Sequence, residues 1–167
     1  KFATRKAKIY ESNGEVWHRT GDVGYFDDQG RIWFCGRKAH MCNSGDETYY
    51  SVKVEYCFSG LAGINRVALV NISLNGQKVL ALCIEPTQRF MSPTARRTIV
   101  TDIVQVARRY RIPLRVIAFH ARQFPVDKRH HAKIERHLLA KWVQDSLTRL
   151  RCNWAIYHVS MTNIAAR

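Results

Sequence analysis

The sequence predicts an α+β chain, the end of a β-rich subdomain followed by a small C-terminal domain in which a short sheet is packed by helices. Three observations carry this. Short runs of strand character separated by tight turns fill the first 38 residues. Two apolar runs flank Asn75-Gly76, a hairpin signal between buried strands. Two stretches of helical period, one opening at Ser92-Pro93 and one from about Ile134, supply apolar faces to cover a sheet.

Taken in order, Lys8-Ile9-Tyr10 and Val16-Trp17-His18-Arg19 read as strands joined through Asn13-Gly14. A second hairpin follows, with Asp27-Asp28-Gln29-Gly30 as its turn and 31–35 as its return strand. After Lys38 the character changes. Residues 39–50 are small and polar and read as a loop around Asn43-Ser44-Gly45-Asp46, which places a domain boundary there. Residues 51–58 carry the spacing of a short helix, with Gly60 able to end it. Strands are expected over 66–72, 78–85 and 114–119. Ser92 caps a helix with Pro93 at its first position, running to about Tyr110 with Ile99, Ile103, Val106 and Tyr110 on one face. The last helix carries Leu138, Leu139, Trp142, Val143, Leu147 and Leu150 on one side. The division is therefore 1–38, 39–145 and a tail, 146–167, that shows no clear period and is assigned no role.

Bulk composition narrows the class. At 167 residues and 46% hydrophobic content, the chain can bury one good core, or one plus a fragment of another. It opens at Lys1 inside a charged, strand-like segment and reads as part of something longer. No apolar run is long enough to span a bilayer, and no transmembrane segment is expected. Five scattered cysteines, without a Cys-x-x-Cys pair, argue against a disulfide framework or zinc module and for a reducing, cytoplasmic setting. The net charge of +14 admits a nucleic acid, a phosphate-bearing substrate, acidic lipid or an acidic neighbouring domain. The basic residues are spread rather than blocked, and no RNA-binding signature accompanies them.

Two stretches carry chemistry. The second hairpin has Thr20-Gly21-Asp22 before it and Gly36-Arg37-Lys38 after it, so an acid and a base are brought side by side, each next to a glycine that lets backbone approach a ligand. Spacing alone admits either a surface salt bridge or a ligand contact. The other stretch is 124–136, FPVDKRHHAKIER, which sets Lys133 at the end of a basic loop just before a helix. A lysine there is a mobile point charge in a cationic field suited to an anion. A merely solvated basic loop is the plainer alternative.

In combination, Thr20-Gly21-Asp22, Gly36-Arg37, a loop glycine with Val54-Glu55, and a lysine before Ile-x-Arg resemble the final third of the acyl-adenylate-forming (AMP-forming) ligase superfamily, over roughly residues 8 to 143. GDVGYFDDQGRIWFCGRKAH and FPVDKRHHAKIERHLLAKW resemble, within it, the beta-lactone synthetases of bacterial long-chain olefin biosynthesis. The resemblance implies ATP-dependent activation of a long-chain fatty or 3-hydroxy fatty acid to an acyl-adenylate, closed by its own hydroxyl to a beta-lactone. A fatty acyl-CoA ligase is the alternative within the superfamily, and a basic nucleic-acid-binding module the alternative outside it, with nucleic acid not favoured.

The resemblance also implies roles. Asp22 accepts hydrogen bonds from the ribose hydroxyls of ATP or AMP, and Arg37 lies against the ribose and its phosphate side. Lys38 and Ala39 fall at the hinge, and Lys133 is the catalytic lysine of the adenylating conformation. Residues 1–38 become the incomplete end of a large adenylating domain, the upstream part of which is the partner of the small mobile domain 39–145. Pathway enzymes are further possible partners. Mg2+ accompanies ATP in the superfamily, with no protein ligand identified and no metal site assigned here.

The chain departs from the common pattern in three places. Lys38-Ala39-His40 lacks the acidic residues common after the Gly-Arg pair, Ala132 stands where glycine is usual before the lysine, and Asn43-Ser44-Gly45 matches only loosely. The longer loop after Pro125 suits the beta-lactone subgroup. Glu55 reads as a structural helix acid, His130 and His131 as surface loop rather than metal ligands, Trp33 and Trp142 as core, and Cys35 and Cys57 as small buried hydrophobes.

Overall fold

The structure is a computed structural model that describes residues 7–127, 133–148 and 155–160. Strands β1 (Lys8–Tyr10) and β2 (Val16–His18) form one antiparallel hairpin, and β3 (Asp22–Phe26) and β4 (Ile32–Arg37) a second. The turn of the second is held by Asp27. Its Oδ1 accepts from the Arg31 amide at 2.9 Å, and its Oδ2 accepts from Arg31 Nε at 2.7 Å and Trp33 Nε1 at 2.8 Å. These donors, the Trp33 indole first, hold the Asp27 carboxyl down at about 2.

Trp33 is consequently not core. It is 48% exposed, stacked on Tyr25 at 6.5 Å. The alternation of 31–35 is real, but among the described residues the 51–56 segment covers only the Cys35 end of that face and leaves Trp33 half in solvent. Only Cys35, at the α-helical side, is buried as expected.

A 3-10 turn, Lys38–His40, leads into a third hairpin of β5 (Cys42–Ser44) and β6 (Glu47–Tyr49). The sequence reading made this stretch a loop. Side-chain pairing explains the difference: the Asn43 amide donates to Asn71 Oδ1 and Asn71 Nδ2 donates to the Asn43 carbonyl, both at 2.8 Å. An asparagine amide mimics a neighbouring strand, which no periodicity reveals. Helix α1 (Ser51–Tyr56) follows.

The main sheet is built from β7 (Ile64–Leu74), β8 (Gln77–Pro86), β9 (Leu114–Phe119) and β10 (Ile156–His158), in the order β10-β9-β8-β7. Asn75 and Gly76 take positive φ, 51° and 77°, as the tight turn between β7 and β8 requires. Helix α2 (Pro93–Arg109) crosses over so that β9 lies parallel to β8. Ser92 Oγ accepts from the Ala95 amide at 3.1 Å, the expected cap. Helix α3 (Arg136–Thr148) completes the described set. The tail contributes β10, paired antiparallel with β9. Three residues are too few to show a period, so pairing with an existing edge decided that element.

Both faces of the sheet are buried, which is why its strands read as nearly continuous apolar runs. Leu69, Leu82, Ile84, Leu114 and Ile117 pack against Val54 and Phe58 and against Ile99 and Ile103 of α2. The other face is smaller, with Ala68, Ala81, Cys83 and Ala118 admitting Leu139 and Val143 of α3. Leu138, placed by period on the apolar side of α3, is 40% exposed, while Leu139 is fully buried. Trp142 is only half-buried and meets the edge of the His120 ring at 4.8 Å. No helix among the described residues is long and apolar enough to cross a membrane.

Urea unfolding should separate the two neighbouring leucines of α3. Leu139→Ala is expected to cost about 2–5 kcal/mol, and Leu138→Ala about 1 kcal/mol or less.

Candidate functional site

The register of the second hairpin places Asp22 opposite Arg37, and Arg37 Nε stands 3.0 Å from Asp22 Oδ1. Arg37 Nη1 also donates to the Thr20 carbonyl at 2.7 Å, and the Lys38 amide donates to the Gly21 carbonyl at 2.8 Å. Gly21 (φ 77°) and Gly36 (φ 115°) take backbone that a side chain would strain. The Arg37 and Asp22 side chains are 48% and 34% exposed, so the pair is worth about 0–1 kcal/mol. The salt-bridge reading is thus realised, and both polar heads stay open to a ligand.

Lys133 is exposed, and among the described residues no carboxylate forms an ion pair with it. Its backbone is fixed at the loop base: the Lys133 carbonyl accepts from the Asp127 amide at 2.9 Å, Val126 bridges to Ile134, and the Glu135 amide donates to the Pro125 carbonyl at 2.8 Å. The loop residues His130 and His131, with Ala132, lie outside the described residues. Lys133 lines a cleft of about 330 Å3 with Ala39, His40, Asp127, Glu135, Arg136 and His137. Ala39 and Lys133, nearly a hundred positions apart in sequence, therefore line the same cleft.

His40 sits where these elements meet, a position that its sequence context does not reveal. Its pKa is lowered below 6.5 by burial first, then by the Arg136, Lys133 and Arg37 cations. The motif residues Arg37 and Lys133 thus act on one imidazole, a convergence that only folding produces. Its one trace in the sequence is the basic pair Arg37-Lys38, separated from His40 only by Ala39.

Beneath the cleft, Glu55 of α1 and Arg136 of α3 form a bidentate ion pair. Arg136 Nη2 donates to Glu55 Oε2 at 2.9 Å, and Nη1 donates to Oε1. The Leu69 amide donates to Glu55 Oε1 at 2.6 Å. Glu55 is held in this ion pair, and its partner sits 81 positions away.

No family model matches the chain. It is 40% identical over 150 residues to an olefin beta-lactone synthetase of Stenotrophomonas maltophilia, covering 87% of this chain and 27% of that protein. To an olefin beta-lactone synthetase of Xanthomonas campestris it is 41% identical over 145 residues, 84% of this chain and 26% of the relative. Among solved structures, a fatty acyl CoA synthetase of Mycobacterium tuberculosis superposes with a TM-score of 0.55 at 27% identity, covering 86% of this chain and 26% of that one. The chain belongs to the acyl-adenylate-forming ligase superfamily. It matches the C-terminal portion of that superfamily and spans about a quarter of the length of the curated relatives it matches.

ATP and Mg2+ are implied by membership of the ligase superfamily. The donor set suits a nucleotide: an accessible carboxylate for sugar hydroxyls and accessible cations for phosphoryl oxygens. No three His, Cys, Asp or Glu side chains among the described residues are grouped to hold a metal ion. Cys42, Cys57 and Cys83 are poor nucleophiles: burial pushes Cys42 up to about 11 and Cys83 up to about 12, and raises Cys57, which is half-buried with its thiol donating to the Lys53 carbonyl.

The cations around His40 have a titration signature. Protonating His40 costs the folded chain more than the unfolded one, so acidification through and below 6.5 should remove stability. In an NMR titration, Lys133→Gln should move the His40 midpoint upward, toward 6.5, because one repelling cation is gone.

Proposed function

We propose that this chain is the C-terminal part of an AMP-forming ligase that activates a long-chain 3-hydroxy fatty acid and closes it to a beta-lactone, working in the cytoplasm. The observation that carries the reading is the 40% identity to an olefin beta-lactone synthetase over 87% of the chain. The geometry agrees with it. An acid and a base stand exposed on one hairpin, and an exposed lysine faces the turn that leaves that hairpin.

In this reading residues 1–38 end the large adenylating domain and 39–145 form the small mobile one, pivoting at Lys38 and Ala39. Asp22 binds the ribose hydroxyls of ATP, and Arg37 the sugar and its phosphate side. Binding trades the weak Asp22–Arg37 contact for ligand hydrogen bonds at little cost. Lys133 binds the substrate carboxylate and the phosphoryl oxygens while negative charge moves onto pyrophosphate. A preorganised donor at developing charge typically contributes about 3–4 kcal/mol. The basic balance of the chain suits this anionic traffic. When bound, the superfamily's Mg2+ would neutralise charge at the phosphates. Swinging the small domain about Lys38 and Ala39 would withdraw Lys133 once the acyl-adenylate has formed, leaving the substrate's own hydroxyl to displace AMP.

In the full-length protein, Lys133→Ala should slow pyrophosphate release about 10²–10³-fold and leave preformed acyl-adenylate competent for the second step. An unchanged rate of pyrophosphate release removes Lys133 from this role. Product analysis tests the second half: a lactone formed without CoA supports the reading, and a thioester that requires CoA replaces it with an acyl-CoA ligase.

A further inference from the structure

Glu55 and Arg136 are 13% and 15% exposed at their side chains, joined through two parallel contacts. Two charges buried together are a poor device for stability, since apolar residues of similar size commonly do as well or better. What such a pair supplies is direction. Leu69 lies on β7, the outer strand of the sheet, with β8 on its other side. Its amide donates to Glu55 Oε1 at 2.6 Å, and its carbonyl accepts from Arg136 Nη1 at 3.3 Å. The pair therefore occupies the hydrogen-bonding edge of β7 as a neighbouring strand would, and it is locked to the main sheet. Arg136 Nε is buried without a partner among the described residues, so the guanidinium does not sit there merely to satisfy its own donors.

The position of Arg136 gives that lock a use. It is the first residue of α3, three residues after Lys133. The Val126–Ile134 bridge holds the other side of the same short link. Lys133 is thus a flexible side chain on a backbone clamped at both ends. Glu55, on its side, belongs to α1, which also docks on the nucleotide-facing hairpin. Lys53 Nζ lies 4.2 Å from the centre of the Tyr25 ring, and Val52 abuts Gly36 so closely that a Cβ there would meet it at 2.9 Å.

We propose that the Glu55–Arg136 pair is the positioning device for Lys133 in the carboxylate-activating step, setting where the lysine's backbone stands relative to the Asp22–Arg37 hairpin. This rests on the catalytic reading of Lys133 given above. Neither residue of the pair touches substrate in this role; each acts through Lys133. Loss of the pair lets the start of α3 drift, and a displacement of about 1 Å at a charge-stabilising group can cost about 10²-fold in rate.

The test is a double-mutant cycle on pyrophosphate release in the full-length protein, with Glu55→Gln, Lys133→Ala and the two combined. Glu55→Gln should slow pyrophosphate release about 10–100-fold, with the ATP KM unchanged and preformed acyl-adenylate converted at the parental rate. In the Lys133→Ala background it should add no further loss, because the group it positions is gone. A purely structural role would slow both steps or multiply through that background, and either result overturns the proposal. If Glu55→Gln does not fold, Arg136→Lys, which keeps the charge and loses the bidentate fork, takes its place under the same criteria. If Lys133→Ala alone keeps the parental rate, the catalytic reading of Lys133 itself falls, an outcome distinct from a failed cycle.

Discussion

The buried contact between the Glu55 carboxylate and the Arg136 guanidinium, made across the free edge of β7, ties three elements that are far apart in sequence. Helix α1, the sheet and helix α3 meet there, and both ends of the Leu69 peptide frame are satisfied by it. Burial raises the Glu55 pKa, and the Arg136 contacts and the Leu69 amide oppose that shift. A charge buried this far must be answered from a fixed direction, so α3 cannot slide or rotate freely against α1. Lys133, exposed and without an ion-pair partner among the described residues, inherits its place from that constraint.

A second buried carboxylate works the same way at the far end of the sheet. Glu85 on β8 accepts from the Arg66 guanidinium and from the Phe124 amide at 2.5 Å. Burial pushes its pKa up, but the Arg66, Phe124 and Asn65 donors outweigh that and hold it below the ordinary carboxylate value. This contact fixes Phe124, where the segment leading to Lys133 begins. The lysine's strand of chain is therefore anchored by a carboxylate before the loop and another after it.

The hairpin corner is built on the opposite principle. Asp22 and Arg37 are half in water, and their attraction is screened and weak. In the proposed nucleotide-binding role such a contact is an advantage, because little is lost when a ligand replaces it. Rigidity there comes from the backbone, through the bond from Lys38 to Gly21 and the two positive-φ glycines.

Much of this was legible in the chain itself. Asn75-Gly76, Ser92-Pro93 and the buried runs around them declare a hairpin and a capped helix because turn chemistry and caps are local. The ligase motifs around Asp22, Arg37 and Lys133 are contiguous enough to recognise by eye. Tertiary structure decided the rest, where the cause is a partner distant in sequence. Asn71 turned an apparent loop into β5 and β6. A free sheet edge recruited β10. Partial cover of the hairpin face among the described residues left Trp33 half in solvent. Glu55 found its guanidinium 81 residues downstream, and His40 gained the Lys133 and Arg136 cations only when the 38–40 turn and the Lys133 segment came together on one cleft. Local hydrogen bonding and hydrophobic period are written in neighbouring residues; the pairing of buried charges is set by which elements pack together, and that exists only in the folded chain.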